Sequence, residues 1–555
     1  MAYQKIREYL TKREKGLNDP FERQKPIYRE IQENIIPWNG QALSGDGKDE
    51  MIDGSKKDDL ILDPTATDSV DVLASGLESG MTNPSTPWFK LGFAEDAMAD
   101  IPTVKDWLHQ VEKSMRFIFN RSNIYQSFHH LYVEIGGFGT GAFAIFENFD
   151  TVIRCRPFTC GEYRLGLSKD LIVDTFLQFS YMTASQLISK FGKGNVSTVV
   201  LNAYNQKQET LFKVGWLVEP NDDRCEVKDF LNRPFRSIWY ECNSQEQKTL
   251  ATSGFNSFPV IAPRWHVVAG RTYGNGPGHK TLNAVKMLQK MEEKGLIAMD
   301  KNIDPPLVGP SALKNAIVNT MPGGITTVDE MQGTPGLRPL HEVRVDFGSY
   351  EAKHNRVQQQ IRAGFYNDLF MMLANMPARS GVTATEIVER HSEKLIQLGP
   401  VFWRLKDEGL DPTIDRTFDI MIENELVPPP PEEIQGMELR VEYISPLAQA
   451  MKMVGLDNLD RFVGFVGSVA QMNPDVLDKA DLDEAVNVYA DMTGVPPKMV
   501  VPDEVVAGVR EERAQQQNRQ MMATMMKPAA ETAKLMSETS TEEGSMLANL
   551  QGGQQ

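Results

Sequence analysis

The residues best suited to chemistry are few. The run Gly274-Asn-Gly-Pro-Gly-His-Lys280-Thr281 sets a lysine and a hydroxyl behind glycines, between a strand-like and a helix-like segment. A phosphate-binding loop belongs in that place, because backbone amides can wrap an anion while the lysine reaches its outer oxygens. That pattern needs glycine directly before the lysine. Here His279 stands there, and Pro277 removes an amide donor. No metal-binding aspartate at the end of an apolar strand follows, so the run favours a turn that opens a helix. A second run, Gly136-Gly-Phe-Gly-Thr-Gly141, stands before a strand rather than opening a helix. That is the wrong order for a dinucleotide fingerprint. A flexible helix-to-strand joint with close backbone packing is expected instead.

Metal and nucleophile signals are weak. There are eight histidines. His129 and His130 are adjacent, so on a helix they point about 100° apart and do not readily share an ion. There is no H-E-x-x-H and no paired Cys/His spacing, so no metal or cofactor site is expected. His391 sits on an apolar stripe and is expected to pack. The cysteines (Cys155, Cys160, Cys225, Cys242) form no C-x-x-C pair and cannot make a disulfide scaffold of so long a chain, which suits a reducing compartment. G-x-S-x-G is missing, and no two of the 75 acidic residues stand out as a pair. No catalytic residue is expected. One cation draws attention: Arg379, in the polar loop 374–381 between two long helical stripes. The loop reads either as an exposed turn or as a segment aimed at a ligand, with Arg379 placed for a phosphate.

The elements around these motifs change period along the chain. Residues 1–38 read as helical, with Asn18-Asp19-Pro20 as a start signal in which Asp19 caps orphan amides. Residues 39–59 read as an exposed loop. Helices are expected over 65–81, 103–120 and the first part of 123–148. From 143 to 268 short alternating runs (151–158, 171–179, 211–218, 236–242, 258–268) predict a mainly antiparallel β region, interrupted by a helix at 183–191. Helical stripes return with Leu282, Val285, Leu288, Met291, Leu296 and Met299, then Val357, Ile361, Phe365, Leu369 and Met372. Each such helix is about 30 Å long. The Pro- and Gly-rich stretch 303–346 between them is long enough to be a subdomain. Thr383 and Glu386 fit a capping box, and Gly399-Pro400 predicts a kink in the helix that follows. A strand at 438–444, a helix opened by Ser445-Pro446, three or four helices over 446–526 and a mobile tail over 527–555 complete the chain. The cluster Met521-Met-Ala-Thr-Met-Met526 reads either as packing between subunits, which is slightly favoured, or as a soft helix end.

Length and charge bound the function. The chain has 555 residues, 41% of them apolar, which suits several globular units rather than a disordered chain. With 58 Lys and Arg against 75 Asp and Glu, the formal net charge is −17. A protein whose main task is gripping phosphates through a basic surface is not built this way. No run reaches transmembrane length and the charged N-terminus is no secretory signal, so the protein is expected to be soluble and to stay where it is made unless a partner carries it into an assembly.

The order of these pieces resembles one family, the portal or head-to-tail connector proteins of short-tailed double-stranded DNA phages. The resemblance rests on Asn120-Arg-Ser-Asn-Ile-Tyr-Gln-Ser-Phe128 followed by Glu134-Ile-Gly-Gly-Phe-Gly-Thr-Gly141, on Tyr273-Gly-Asn-Gly-Pro-Gly278 before a helix, and on Arg379-Ser-Gly-Val-Thr-Ala-Thr-Glu-Ile387. It covers about residues 1–525. It implies a mainly α, α+β chain: a β-containing wing (1–280), stem helices (281–302 and 347–373) flanking a clip (303–346), a tunnel loop (374–382), a kinked helix and wing return (383–445), and a helical crown (446–526). It implies a dodecameric ring at one capsid vertex that conducts double-stranded DNA during packaging and ejection, with no catalysis and no cofactor. It also implies a set of partners: terminase, then a tail adaptor, with the major capsid and scaffolding proteins, in the virion and, during assembly, in the host cytoplasm. Asn375, Met376, Ala378, Arg379 and Ser380 would face the DNA. The alternatives are an NTP-driven packaging motor subunit, which would have to use Lys280, and a virion scaffold without a channel.

Overall fold

The computed structural model describes residues 6–41, 43, 61–93, 101–224, 229–244, 246, 248–303, 307–308, 338–339, 346–374, 397–434 and 439–448, with shorter stretches between 456 and 516. The chain divides into two compact units, Met1–Val454 and Gly455–Gln555. The fold is α+β and mainly α, with several small sheets.

Helix α1 (Ile6–Asn34) buries Leu10, Leu17, Phe21, Tyr28 and Ile31 and runs through Pro20 and Pro26. Asn18-Asp19-Pro20 therefore lies inside a helix and does not start one. The Asn18 side chain accepts from Arg164 Nε at 2.6 Å, and the Arg164 guanidinium stands 3.6 Å from the Phe21 ring centroid. Burial of this face outweighs the amide that each proline removes. The loop that follows is not wholly exposed either: Leu43 is buried, and the Gln41 amide donates to the Cys160 carbonyl at 2.8 Å.

Helices α2 (Thr65–Met81), α3 (Pro102–Arg121) and α4 (Ile124–Phe138) stand where the apolar periods put them. Strand β1 (Phe89–Phe93) precedes α3. The β region holds β2 (Ala142–Asn148), β3 (Val152–Phe158), β4 (Tyr163–Leu167), β5 (Val173–Thr183), β6 (Leu211–Pro220), β7 (Phe235–Glu241), β8 (Ala251–Phe255) and β9 (Val260–Ile261). All pairings among them are antiparallel, in two sheets ordered β3-β2-β9 and β4-β5-β6-β7-β8. The strand expected over 258–268 shrinks to Val260–Ile261, because Pro259 and Pro263 on either side have no amide to give a ladder. After β5, α5 (Ala184–Phe191) opens with a capping box between Thr183 and Gln186, and α6 (Thr198–Gln206) follows.

Helix α7 (Pro277–Ile303) starts inside the glycine-rich run, earlier than expected. Of the intervening stretch, β10 (Leu307–Val308) and β11 (Arg338–Pro339) are described and pair antiparallel. The second long stripe is two helices, α8 (Phe347–Gly364) and α9 (Asn367–Ala374). Tyr366 between them has φ 59°, a left-handed conformation that ends a helix. Val357, Ile361, Phe365 and Leu369 stay buried across the break. Helix α10 (397–405) passes through Gly399-Pro400; the departure from α geometry comes further on, as a π turn at Lys406–Leu410 that leads into α11 (Asp411–Glu423). Strand β12 (Leu439–Tyr443) pairs with β1, Phe89 opposite Tyr443. In the second unit, α12 (Leu456–Ala470) is the longest described helix. Thr383, Glu386, His391, the Met521–Met526 cluster and the 527–555 tail lie outside the described residues.

One large core joins α1–α4, α7–α11 and the three-stranded sheet. Trp88 is fully enclosed, stacked between Phe119 (5.9 Å) and Tyr443 (6.3 Å), which ties the β1–β12 pair to α3. A smaller cluster of Leu10, Leu17, Leu177, Phe179, Leu217, Ile238 and Tyr240 lays α1 against the five-stranded sheet. There Glu219, buried, accepts from Tyr9 (2.6 Å), Arg13 (2.7 Å) and Arg236 (2.8 Å).

Candidate functional site: a helix hairpin, its clasp and a glycine seam

Helices α7 and α8 pack as an antiparallel hairpin. Tyr350, near the start of α8, donates to the Met291 carbonyl at 2.6 Å, late in α7, and stands over Gly295. At the other end, a Cβ on Gly364 would lie 2.3 Å from Thr281 Cγ2. Glycine at both crossings lets the helices approach closely.

A turn before α2 clasps this hairpin. Gln289 of α7 holds the turn's backbone on both sides: its Oε1 accepts from the Leu62 and Asp63 amides (2.8 and 3.1 Å), and its Nε2 donates to the Asp63 carbonyl (2.8 Å). The Asp63 carboxylate accepts from the Thr65 amide (2.8 Å) and from Gln358 of α8 (2.7 Å). His354 of α8 lies 3.5 Å from Asp63 Oδ2 and also contacts Glu292 of α7. Burial pushes the Asp63 carboxyl upward, but hydrogen bonds from Thr65 and Gln358 and the neighbouring His354 outweigh it and hold its pKa below the ordinary range. Further on, Asn367 donates to Ser69 at 2.9 Å, and Phe370 packs onto Gly76, seating α9 on α2.

The two glycine runs meet. Gly139 ends α4 with φ 75°, and a Cβ there would lie 2.4 Å from the Gly276 nitrogen. A Cβ on Gly276 would lie 2.5 Å from the Ile135 carbonyl oxygen, and one on Gly278 2.2 Å from that of Gly137. The amides that would wrap a phosphate are bonded to protein: Gly274 to Thr140 Oγ1 (2.9 Å), Asn275 to the His266 carbonyl (2.8 Å), Gly276 to His279 Nδ1 (3.3 Å). Burial pulls the pKa of His279 down to about 4, so its ring stays neutral and accepts that bond. Lys280 is exposed. The phosphate-loop geometry is therefore filled by the protein itself, and of the flexible joint expected at 136–141 the close backbone packing is what the structure shows.

Beside the seam, Arg264 makes a paired contact with Glu408 in the π turn, Nε to Oε2 at 3.0 Å and the second nitrogen to Oε1 at 2.8 Å. The Arg264 amide also donates to Glu408, at 3.0 Å. Within α4, Glu134 is buried and accepts from Asn39 (2.8 Å), Thr159 (2.6 Å) and the Cys160 amide (2.9 Å); burial raises its pKa. His129 pairs with Glu78 at 2.7 Å and His130 does not join it. Asn375, Met376, Ala378, Arg379 and Ser380 lie outside the described residues, as does the rest of the loop beyond Ala374.

The family model for bacteriophage head to tail connecting proteins matches residues 7–500. The chain belongs to this family. Among curated relatives of this connector chain, the portal protein of Salmonella phage epsilon15 is 40% identical over 95% of each chain. The probable portal protein of Bordetella phage BPP-1 is 37% identical over 99% of each. Solved structures of a gene transfer agent also match. The neck of the empty particle gives a TM-score of 0.34 at 10% identity, covering 73% of this chain and 86% of that one. The native virion gives 0.32 at 11%, covering 72% and 86%. The resemblance to portal or head-to-tail connector proteins is thus borne out. No helix of the described residues is long and apolar enough to cross a membrane.

Proposed function

We propose that this connector chain assembles as a homododecameric ring at one capsid vertex and serves as the conduit for double-stranded DNA. Terminase docks on the ring during packaging and a tail adaptor replaces it afterwards, with the major capsid and scaffolding proteins around it. The carrying observation is the family match over residues 7–500 together with relatives aligned along nearly the whole chain. The α7–α8 hairpin supports a stem: two long packed helices flank the stretch 303–346, which we assign to the clip. Residues 1–280 are the wing, 374–382 the tunnel loop, 383–445 the kinked helix and wing return, and 446–526 the crown. The chain does no catalysis and takes no cofactor for this task; the filled glycine seam supports that against an NTP-driven motor.

Charge supports passage rather than grip. Twelve copies of a chain at −17 carry about −200 formal charges in one ring, which repels DNA from the walls. Asn375, Met376, Ala378, Arg379 and Ser380 face the DNA, and Arg379 touches its backbone without reading sequence. Native mass measurement and negative-stain imaging test the ring: about 750 kDa with a central hole is expected from chains of 62.3 kDa. A chain that stays monomeric even when co-expressed with capsid components sinks the proposal. Arg379→Ala particles should package or retain DNA less well, and wild-type packaging and retention would remove the role given to Arg379.

A further inference from the structure

We propose that Asp63, Glu292 and His354 form a binding site for one divalent transition-metal ion of the Zn²⁺ type. Each offers one ligand atom, and the three atoms lie within 4.8 Å of one another. Tetrahedral coordination with bonds of about 2.0–2.2 Å sets ligand atoms roughly 3.4 Å apart. His354 Nε2 and Asp63 Oδ2 are already at 3.5 Å. An imidazole with two carboxylates is a donor set for borderline ions, and three protein ligands leave a fourth position for water.

Two further features separate this group from a chance meeting of acids. His354 Nε2 is enclosed, faces both carboxylates, and has no hydrogen bond of acceptable geometry. Among the described residues no lysine or arginine pairs with Asp63 or Glu292, so the imidazole is the one nitrogen base set between them. The ligands are also held from behind, as metal ligands are. Asp63 Oδ1 accepts from the Thr65 amide, Gln358 reaches Oδ2, and Gln289 fixes the Asp63 backbone. The His354 ring lies against Tyr350, centroids 6.2 Å apart. Glu292 keeps 28% of its side chain exposed and gives an ion a way in. Each ligand comes from a different element: the 61–64 turn, α7 and α8. An ion here would rivet the hairpin to the turn, whatever the ring stoichiometry.

The test uses tag-free, chelator-stripped full-length protein, with Zn²⁺ uptake followed by equilibrium dialysis and elemental analysis. Wild type is expected to take up one ion per chain at this site. His354→Ala and Glu292→Gln should each weaken that binding roughly tenfold or more. Co²⁺ should give the visible absorption of a four-coordinate site in wild type and lose it in both variants. Equal uptake by wild type and both variants overturns the proposal, and so does no uptake by wild type. If His354→Ala fails to fold, Glu292→Gln, a near-isosteric change at a partly exposed position, decides alone.

Discussion

Gly139→Ala is the sharpest probe of the seam between α4 and α7. Two costs are stacked at this residue. Its φ of 75° is left-handed, and an L side chain there costs about 1–2 kcal/mol. Its new Cβ would also stand 2.4 Å from the Gly276 nitrogen, 2.5 Å from the Gly274 carbonyl oxygen and 2.8 Å from the Asn275 carbonyl carbon. These are backbone atoms, so no side chain can swing aside, and overpacking of this kind costs about 1–3 kcal/mol more. The expected loss is therefore about 2–5 kcal/mol. Gly270 supplies the control: its φ is 68°, and a Cβ there meets nothing within 4 Å. Gly270→Ala should show the backbone cost alone, about 1–2 kcal/mol. Urea unfolding of both variants, followed by circular dichroism and tryptophan fluorescence, gives the difference. Equal losses would refute the claim that close packing governs this seam. If Gly139→Ala kept wild-type stability while wild type bound ATP and the variant did not, the run would be a phosphate loop after all.

Other outcomes follow from neighbouring contacts. Arg264→Ala should cost about 1.5–3 kcal/mol in urea unfolding, because it removes the paired bonds of a 4% exposed guanidinium while Arg404, 3.1 Å from Glu408, still pairs with that carboxylate; Arg264→Lys should cost less but not nothing, since lysine cannot make the two parallel bonds. A wild-type result for both would mean the pair is ornamental. Burial raises the Glu162 pKa from its ordinary 4.5 to about 7, against the opposing Thr159 hydrogen bond. A raised carboxyl favours the folded state fully below 4.5, and this contribution disappears as pH rises through about 7. Glu162→Gln should therefore flatten the fall in stability between pH 4.5 and 7, seen as melting temperature against pH; parallel curves would exclude the shift.

Much of the fold was legible because burial faces repeat. Val70, Leu73, Ala74, Leu77 and Met81 are all enclosed in α2, which spans the 65–81 expected from its period. The antiparallel β region was legible from alternation, but β1 was not: five residues without a neighbouring run give no period, and its partner β12 lies far along the chain. Asn18-Asp19-Pro20 carried the chemistry of a helix start and was overruled by a buried face on either side of it. The break at Tyr366 had no signal, since tyrosine rarely takes a left-handed φ. Both glycine runs were conspicuous, yet nothing in either showed that the other was its partner. The clasp was hidden for the same reason. Asp63, Glu292 and His354 obey no local spacing, and only the packing of α7 on α8 and the 61–64 turn brings them together.

Most interfaces between helices have some give, because side chains can change rotamer and let one element slide past another. The contact of Gly137 and Gly139 with Gly274, Gly276 and Gly278 has no rotamers to change. Main chain bears on main chain there, so no side chain can yield between α7 and α4. If the subunit flexes, the bending belongs elsewhere along the chain. Tyr366, where one long stripe is already broken into two helices, is the natural place for it. The seam would then act as a fixed bearing against which the rest of the subunit moves.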